Sequence, residues 1–104
     1  MGKPEHSVEG YLQTMALKHG CICYKFTSPG NRGVPDRVVI GYGKNGEKHT
    51  DFIETKAPGE KPRLLQKIIH DEMREHGASV YVLCTRDTID QYFAEFFEPK
   101  EKRP

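Results

Sequence analysis

The chain predicts one α/β domain, a sandwich of helices around a mixed sheet with elements in the order αβββαβα. Three observations predict it. Apolar residues recur at helical spacing near both ends and in the middle of the chain. A β-branched stretch turns back on itself at Asn45-Gly46, and a late apolar run is too short for anything but a strand.

The first helix is expected from residue 5 or 7 to residue 19, with Val8, Tyr11, Leu12 and Met15 on one stripe, Glu9 at its edge and Gly20 as the stop. Residues 21–27 mix apolar and polar side chains as a strand does, and Ser28-Pro29-Gly30-Asn31-Arg32-Gly33 is a dense loop signal. Arg37–Tyr42 is β-branched, and Asn-Gly accepts the positive φ angles of a tight turn, so Lys48–Thr55 returns antiparallel to it. A second helix follows Pro62, with Leu65, Ile68, Ile69 and Met73 as its core stripe and Gly77 as its break. Gln66 and His70 lie one turn apart along the border of that stripe. Residues 79–84 read as a strand buried within the sheet between helical layers. Thr85 caps a last helix carrying Ile89, Tyr92, Phe93, Phe96 and Phe97 at helical spacing.

A chain of 104 residues has room for one small core, so self-association is a natural way to gain stability and binding surface. No apolar run approaches the ~20 residues that span a bilayer. The start, Met1-Gly2-Lys3-Pro4-Glu5-His6, has no apolar segment of a secretory signal, so an intracellular protein is expected. Cys21, Cys23 and Cys84 lack zinc-like spacing and read as free thiols of a reducing compartment. The net charge is +1, but its distribution is uneven. Lys56, Lys61, Arg63 and Lys67 face only Glu60, and Lys100, Lys102 and Arg103 face only Glu101, whereas Asp87, Asp90, Glu95 and Glu98 gather elsewhere. That asymmetry suits a phosphate-facing edge beside one strand, or simply solvated helix surfaces.

The candidate chemistry lies in a split motif, Pro35-Asp36 in a glycine-flanked loop and then Glu54-Thr55-Lys56 at the end of a strand. Glu54 and Lys56 are two residues apart in that strand and leave it on the same face. Mg²⁺ takes oxygen ligands, one or two of them carboxylates, and keeps several waters for chemistry. The plainer alternative is a turn-capping Asp36 and a solvated Glu54–Lys56 pair.

Gly33-Val34-Pro35-Asp36-Arg37-Val38-Val39, Glu54-Thr55-Lys56 before Ala57-Pro58-Gly59, Gln66, and Gly77-Ala78-Ser79-Val80-Tyr81-Val82 occur in an order that resembles a stand-alone virus-type replication-repair nuclease (VRR-NUC) domain of the PD-(D/E)xK superfamily. The resemblance runs from Glu9 to about Leu83 and implies a restriction-endonuclease-like sandwich over residues 1–98, with 99–104 as a charged tail. It implies Asp36, Glu54 and the Thr55 carbonyl as ligands of Mg²⁺ or Mn²⁺, and Lys56 as the group that orients the attacking water. Glu9 matches a first-helix acid that can serve a second metal, and Gln66 matches a helix glutamine that could hold the water or a phosphate oxygen. Arg32 and Arg37 flank Asp36 and, with Lys61, Arg63 and Lys67, are candidate phosphate contacts. Phage proteins of this type act as homodimers on branched DNA such as four-way (Holliday) junctions, which implies a structure-selective endonuclease working inside a bacterial host. Tyr92, Phe96 and Phe97 are candidates either for the dimer interface or for the monomer core. The alternative function is a non-catalytic nucleic-acid-binding or assembly module on the same fold. Against it, such a module has no need to crowd acids where phosphates approach.

Overall fold

The computed structural model describes residues 6–100; residues 1–5 and 101–104, which include the earliest expected helix start and most of the charged tail, lie outside the described residues. A π-helical turn at His6–Gly10 leads into α1 (Tyr11–Lys18). There follow β1 (Ile22–Lys25), β2 (Arg37–Tyr42), β3 (Lys48–Thr55), α2 (Leu64–Glu75), β4 (Ser79–Leu83) and α3 (Arg86–Phe96). The predicted order of elements is the order found. The strands lie side by side as β1-β2-β3-β4, antiparallel up to β3, with β4 parallel to β3.

The hairpin is the most locally determined part. Gly46 alone takes a positive φ, +81°, and Asn45 does not share it as expected; the Gly43 N–H donates to the Glu47 carbonyl at 2.7 Å, and Arg37↔Ile53 to Tyr42↔Lys48 set the register. Its tip is tied to the end of α3: the Lys44 N–H donates to the Phe96 carbonyl at 2.8 Å and Lys44 Nζ to the Ala94 carbonyl at 3.1 Å. A cation there also meets the negative end of the helix dipole. At α3's other end Thr85 Oγ1 accepts from the Thr88 N–H at 3.1 Å, as its place before the helix predicts.

β1 is shorter than the expected 21–27. The Cys21 N–H turns back to the Ala16 carbonyl at 2.8 Å, so that residue closes α1 before it can join the sheet. One face of the sheet carries the main core, where α1 and α3 pack Leu12, Ile89 and Phe93 against Val39 and Ile53, all without exposed surface. Tyr92 and Phe97 are 4% and 2% exposed, so these two of the aromatics considered for an interface fill the monomer core instead, while Phe96 packs against the core and is half-buried.

Two expectations about the second half need correction. β4 lies between helical layers as expected but forms an edge of the sheet, paired only with β3. α2 sits over that edge, so only part of its apolar surface is covered. Leu65 and Ile68 of its expected core stripe are 45% and 54% exposed, Ile69 and Met73 are half-buried, and the border residue His70 is 1% exposed.

Candidate active site

The strand alternation that sends Ile53 into the α1–α3 core sends Glu54 to the opposite face, under α2. Glu54 is 5% exposed. Gln66 Nε2 donates to its Oε2 at 3.0 Å, and Lys56 Nζ stands 3.6 Å from the same oxygen. The Gln66 amide is held from its other end, because its Oε1 accepts from the Arg63 N–H at 2.9 Å as part of the capping of α2. Gln66 therefore spans the helix start and the acid.

Asp36 reaches the site from the loop before β2. Its Oδ1 accepts from the Thr55 N–H at 3.3 Å and its Oδ2 from Thr55 Oγ1 at 3.1 Å, which places it beside the end of β3. The two carboxylates are close enough to feel each other. Burial first, and then the charge of Asp36, push the Glu54 carboxyl above its ordinary range, and Lys56 and Gln66 only partly oppose this. A buried acid facing a second acid is a costly arrangement unless a cation joins it.

No family model matches the chain. Over 83 residues it is 46% identical to "Putative nuclease p44" of Acyrthosiphon pisum secondary endosymbiont phage 1, an alignment that covers 80% of this chain and 85% of that protein. A solved structure described as a VRR_NUC domain superposes with a TM-score of 0.75 at 27% identity, covering 90% of this chain and 97% of its own. The chain belongs to the VRR-NUC family.

Within this VRR-NUC domain the remaining site candidates separate. Glu9 Oε2 is engaged by Arg37 Nε at 3.2 Å, and Arg37 Nη1 also lies 2.8 Å from the Gln13 amide oxygen once that amide is turned to suit its donors. Glu9 and Arg37 thus neutralise each other on the α1 side of the sheet. Arg32 and Arg63 line one pocket together with Gly33, Leu65 and Gln66. Lys61 and Lys67 are exposed on the approach to α2 and on its first turn.

The fold implies a divalent metal in general, and the donor set fits a hard one: a carboxylate on Glu54, a second on Asp36 bonded to the next residue Thr55, and a raised Glu54 proton affinity that a cation would reverse. Among the described residues no three His, Cys, Asp or Glu side chains are gathered for a metal, so main-chain oxygen and water would complete the shell.

Sequence reasoning missed two features. His70 was placed at a boundary and is buried. Asp51, 1% exposed, accepts from Tyr92 Oη at 2.5 Å and lies 3.0 Å from His49 Nδ1, whose Nε2 lies 3.0 Å from Glu47 Oε2. The signal was present, since Asp51 shares the inward phase of Ile53 on β3. This network belongs to the core, on the opposite face from Glu54.

The raised Glu54 pKa has a stability consequence. The folded metal-free protein binds that proton more tightly than the unfolded chain does, so this contribution is fully present below the ordinary value of 4.5 and is lost as pH rises through the raised one. Glu54→Gln is therefore expected to melt above wild type in chelator at neutral pH, with the gap closing toward pH ~4. Thermal melts across pH check this, and identical curves would show that Glu54 is not under strain.

Proposed function

We propose that this protein is a Mg²⁺- or Mn²⁺-dependent, structure-selective DNA endonuclease that hydrolyses phosphodiester bonds in branched DNA such as four-way junctions. The observation that carries the reading is the convergence of Asp36, buried Glu54 and Lys56 at the ends of β2 and β3, in a chain of the VRR-NUC family. When bound, the metal supplies polarisation of the scissile phosphate and a more acidic water. Asp36, Glu54 and the Thr55 carbonyl are the groups that would hold it.

The chain's own residues do the rest. Gln66 fixes the rotation of the Glu54 carboxylate, leaving one oxygen free of both Gln66 and Lys56. The Lys56 ammonium, on the same face, offsets phosphate charge and orients the attacking water. Arg32 and Arg63 converge on a pocket beside Gln66 and suit a neighbouring phosphate, with Lys61 and Lys67 adding charge along the path. Arg37, committed to Glu9 and Gln13, shapes the start of β2. Glu9 would serve a second metal only by giving up that partner.

Cleavage of a labelled four-way junction is expected with Mg²⁺ or Mn²⁺ and none in excess chelator, because two carboxylates alone do not activate water at neutral pH. Undiminished cutting in chelator would reject the metal mechanism. A homodimer, acting within a bacterial host cell, is part of the proposal, since C2 symmetry would set two sites on a two-fold substrate. With Tyr92 and Phe97 in the core, one apolar surface for it among the described residues is the exposed part of α2, where Leu64 is 74% and Ile68 54% exposed. Light scattering at micromolar concentration is expected to give twice the mass of one chain for wild type. A single-chain mass with full junction cleavage would remove the dimer from the mechanism. Among the described residues, no helix is long and apolar enough to cross a membrane.

A further inference from the structure

The two acids of the split motif reach the site by different routes. Glu54 grows from β3 itself, whereas Asp36 ends an irregular stretch that leaves β1 and passes through Gly30 and Gly33, both at positive φ. The ends of that stretch are joined where the Phe26 N–H donates to the Asp36 carbonyl at 2.8 Å. This main-chain bond leaves the rotation of the Asp36 side chain open.

Thr55 grips that side chain. Its N–H donates to Oδ1 at 3.3 Å and its hydroxyl to Oδ2 at 3.1 Å, and among the described residues both bonds that the carboxylate accepts are these. Holding the two oxygens from one residue fixes the plane of the carboxylate as well as its position. Each oxygen keeps a second lone-pair direction, so the grip leaves room for a cation. Thr55 is itself firmly mounted, because β3 runs between β2 and β4, Thr55 lies opposite Leu83, and the Lys56 N–H donates to the Leu83 carbonyl at 3.1 Å. The strand alone does not ask for a hydroxyl here. Valine has nearly the same shape and suits a strand as well. What threonine adds is the second bond to Asp36.

We infer that Thr55 is a positioning residue through its side chain: the hydroxyl sets the rotation of Asp36 beside Glu54 and so the affinity of the acid pair for a divalent cation. Its part in cleavage rests on the proposed nuclease reading, while its effect on cation binding is read without DNA.

The test compares wild type with Thr55→Val, which keeps the shape and the main-chain bond and loses the hydroxyl, and with Thr55→Ser, which restores the hydroxyl on a smaller side chain. Mn²⁺ alone is the probe, titrated by calorimetry. Its dissociation constant is expected to rise about tenfold in Thr55→Val, with most of that loss recovered in Thr55→Ser. Thermal melts in chelator are expected to rank the two the other way, since valine keeps the strand packing that serine gives up. A merely structural threonine would make Mn²⁺ affinity follow melting temperature, and that result would overturn the inference. So would wild-type affinity in Thr55→Val, no recovery in a folded Thr55→Ser protein, or a wild type that binds no Mn²⁺. If Mn²⁺ binding follows the hydroxyl but wild type leaves a four-way junction uncut, the positioning role stands and the nuclease reading falls.

Discussion

Turnover on junction DNA is expected to fall about a hundredfold or more for each of Asp36→Ala, Glu54→Ala and Lys56→Ala, with the fold retained. The size of the effect follows from the way the groups depend on one another. Glu54 is held by Gln66 and Lys56 through one oxygen, and Asp36 is held by Thr55, the residue between the acid and the lysine. Removing either acid leaves a single carboxylate to hold a divalent ion, and removing Lys56 leaves the acids without their cation. The losses should not add: a double variant is expected to be little worse than its slower parent, because the groups act as one unit. Single-turnover rates at saturating metal check this. Near-normal rates in two of the three single variants would place the active site elsewhere. Stability is expected to move the other way for Glu54, since its loss removes a carboxylate that burial first, and then the charge of Asp36, disfavour in its ionised form. A variant that is more stable and inactive would mark strain kept for function.

How far the sequence could be read depended on whether an element is fixed locally or by its neighbours. β2 and β3 were legible to the residue and the Asn45-Gly46 turn in its place, though only Gly46 takes the positive φ, because turn chemistry and strand alternation are short-range properties. The pairing of Glu54 with Lys56 followed from the same alternation, and their meeting is found at 3.6 Å. The orientation of α2 was not legible. Leu65, Ile68, Ile69 and Met73 define an apolar stripe by spacing, but which flank is covered depends on where β4 joins the sheet. β4 joins at the edge, and the helix therefore turns Ile69, His70 and Met73 inward and leaves Leu65 and Ile68 half in water. His70 was misplaced for that reason, and the commitment of Glu9 to Arg37 was hidden for a related one, since 28 residues of chain separate them. Gln66 was placed at the site by resemblance alone. Its double hydrogen bond supplies the physical reason for a glutamine there.

The α3 aromatics lead to the second large effect. Phe93→Ala and Phe97→Ala are each expected to lower stability by about 3–5 kcal/mol, the range for deleting a buried phenylalanine ring. Phe93 has no exposed surface, stacks on His19 at 4.8 Å between centroids, and meets Tyr92 edge-on at 4.9 Å. Phe97 covers the His49 ring at 4.8 Å, closing the apolar wall around the Asp51–Tyr92 hydrogen bond. A domain of this size is stable by only about 5–15 kcal/mol, so either truncation removes a large share. Protein concentration separates core from interface. A ring inside the monomer costs the same at every dilution, whereas a ring in a dimer contact costs more where the dimer is populated. Denaturant midpoints across a hundredfold range of concentration are therefore expected to shift in parallel for wild type and Phe97→Ala. For Ile68→Asp on exposed α2, the gap from wild type is expected to open as concentration rises. If instead the gap for Phe97→Ala opened with concentration and that for Ile68→Asp stayed flat, α3 would be the interface and its aromatics would act between copies rather than within one.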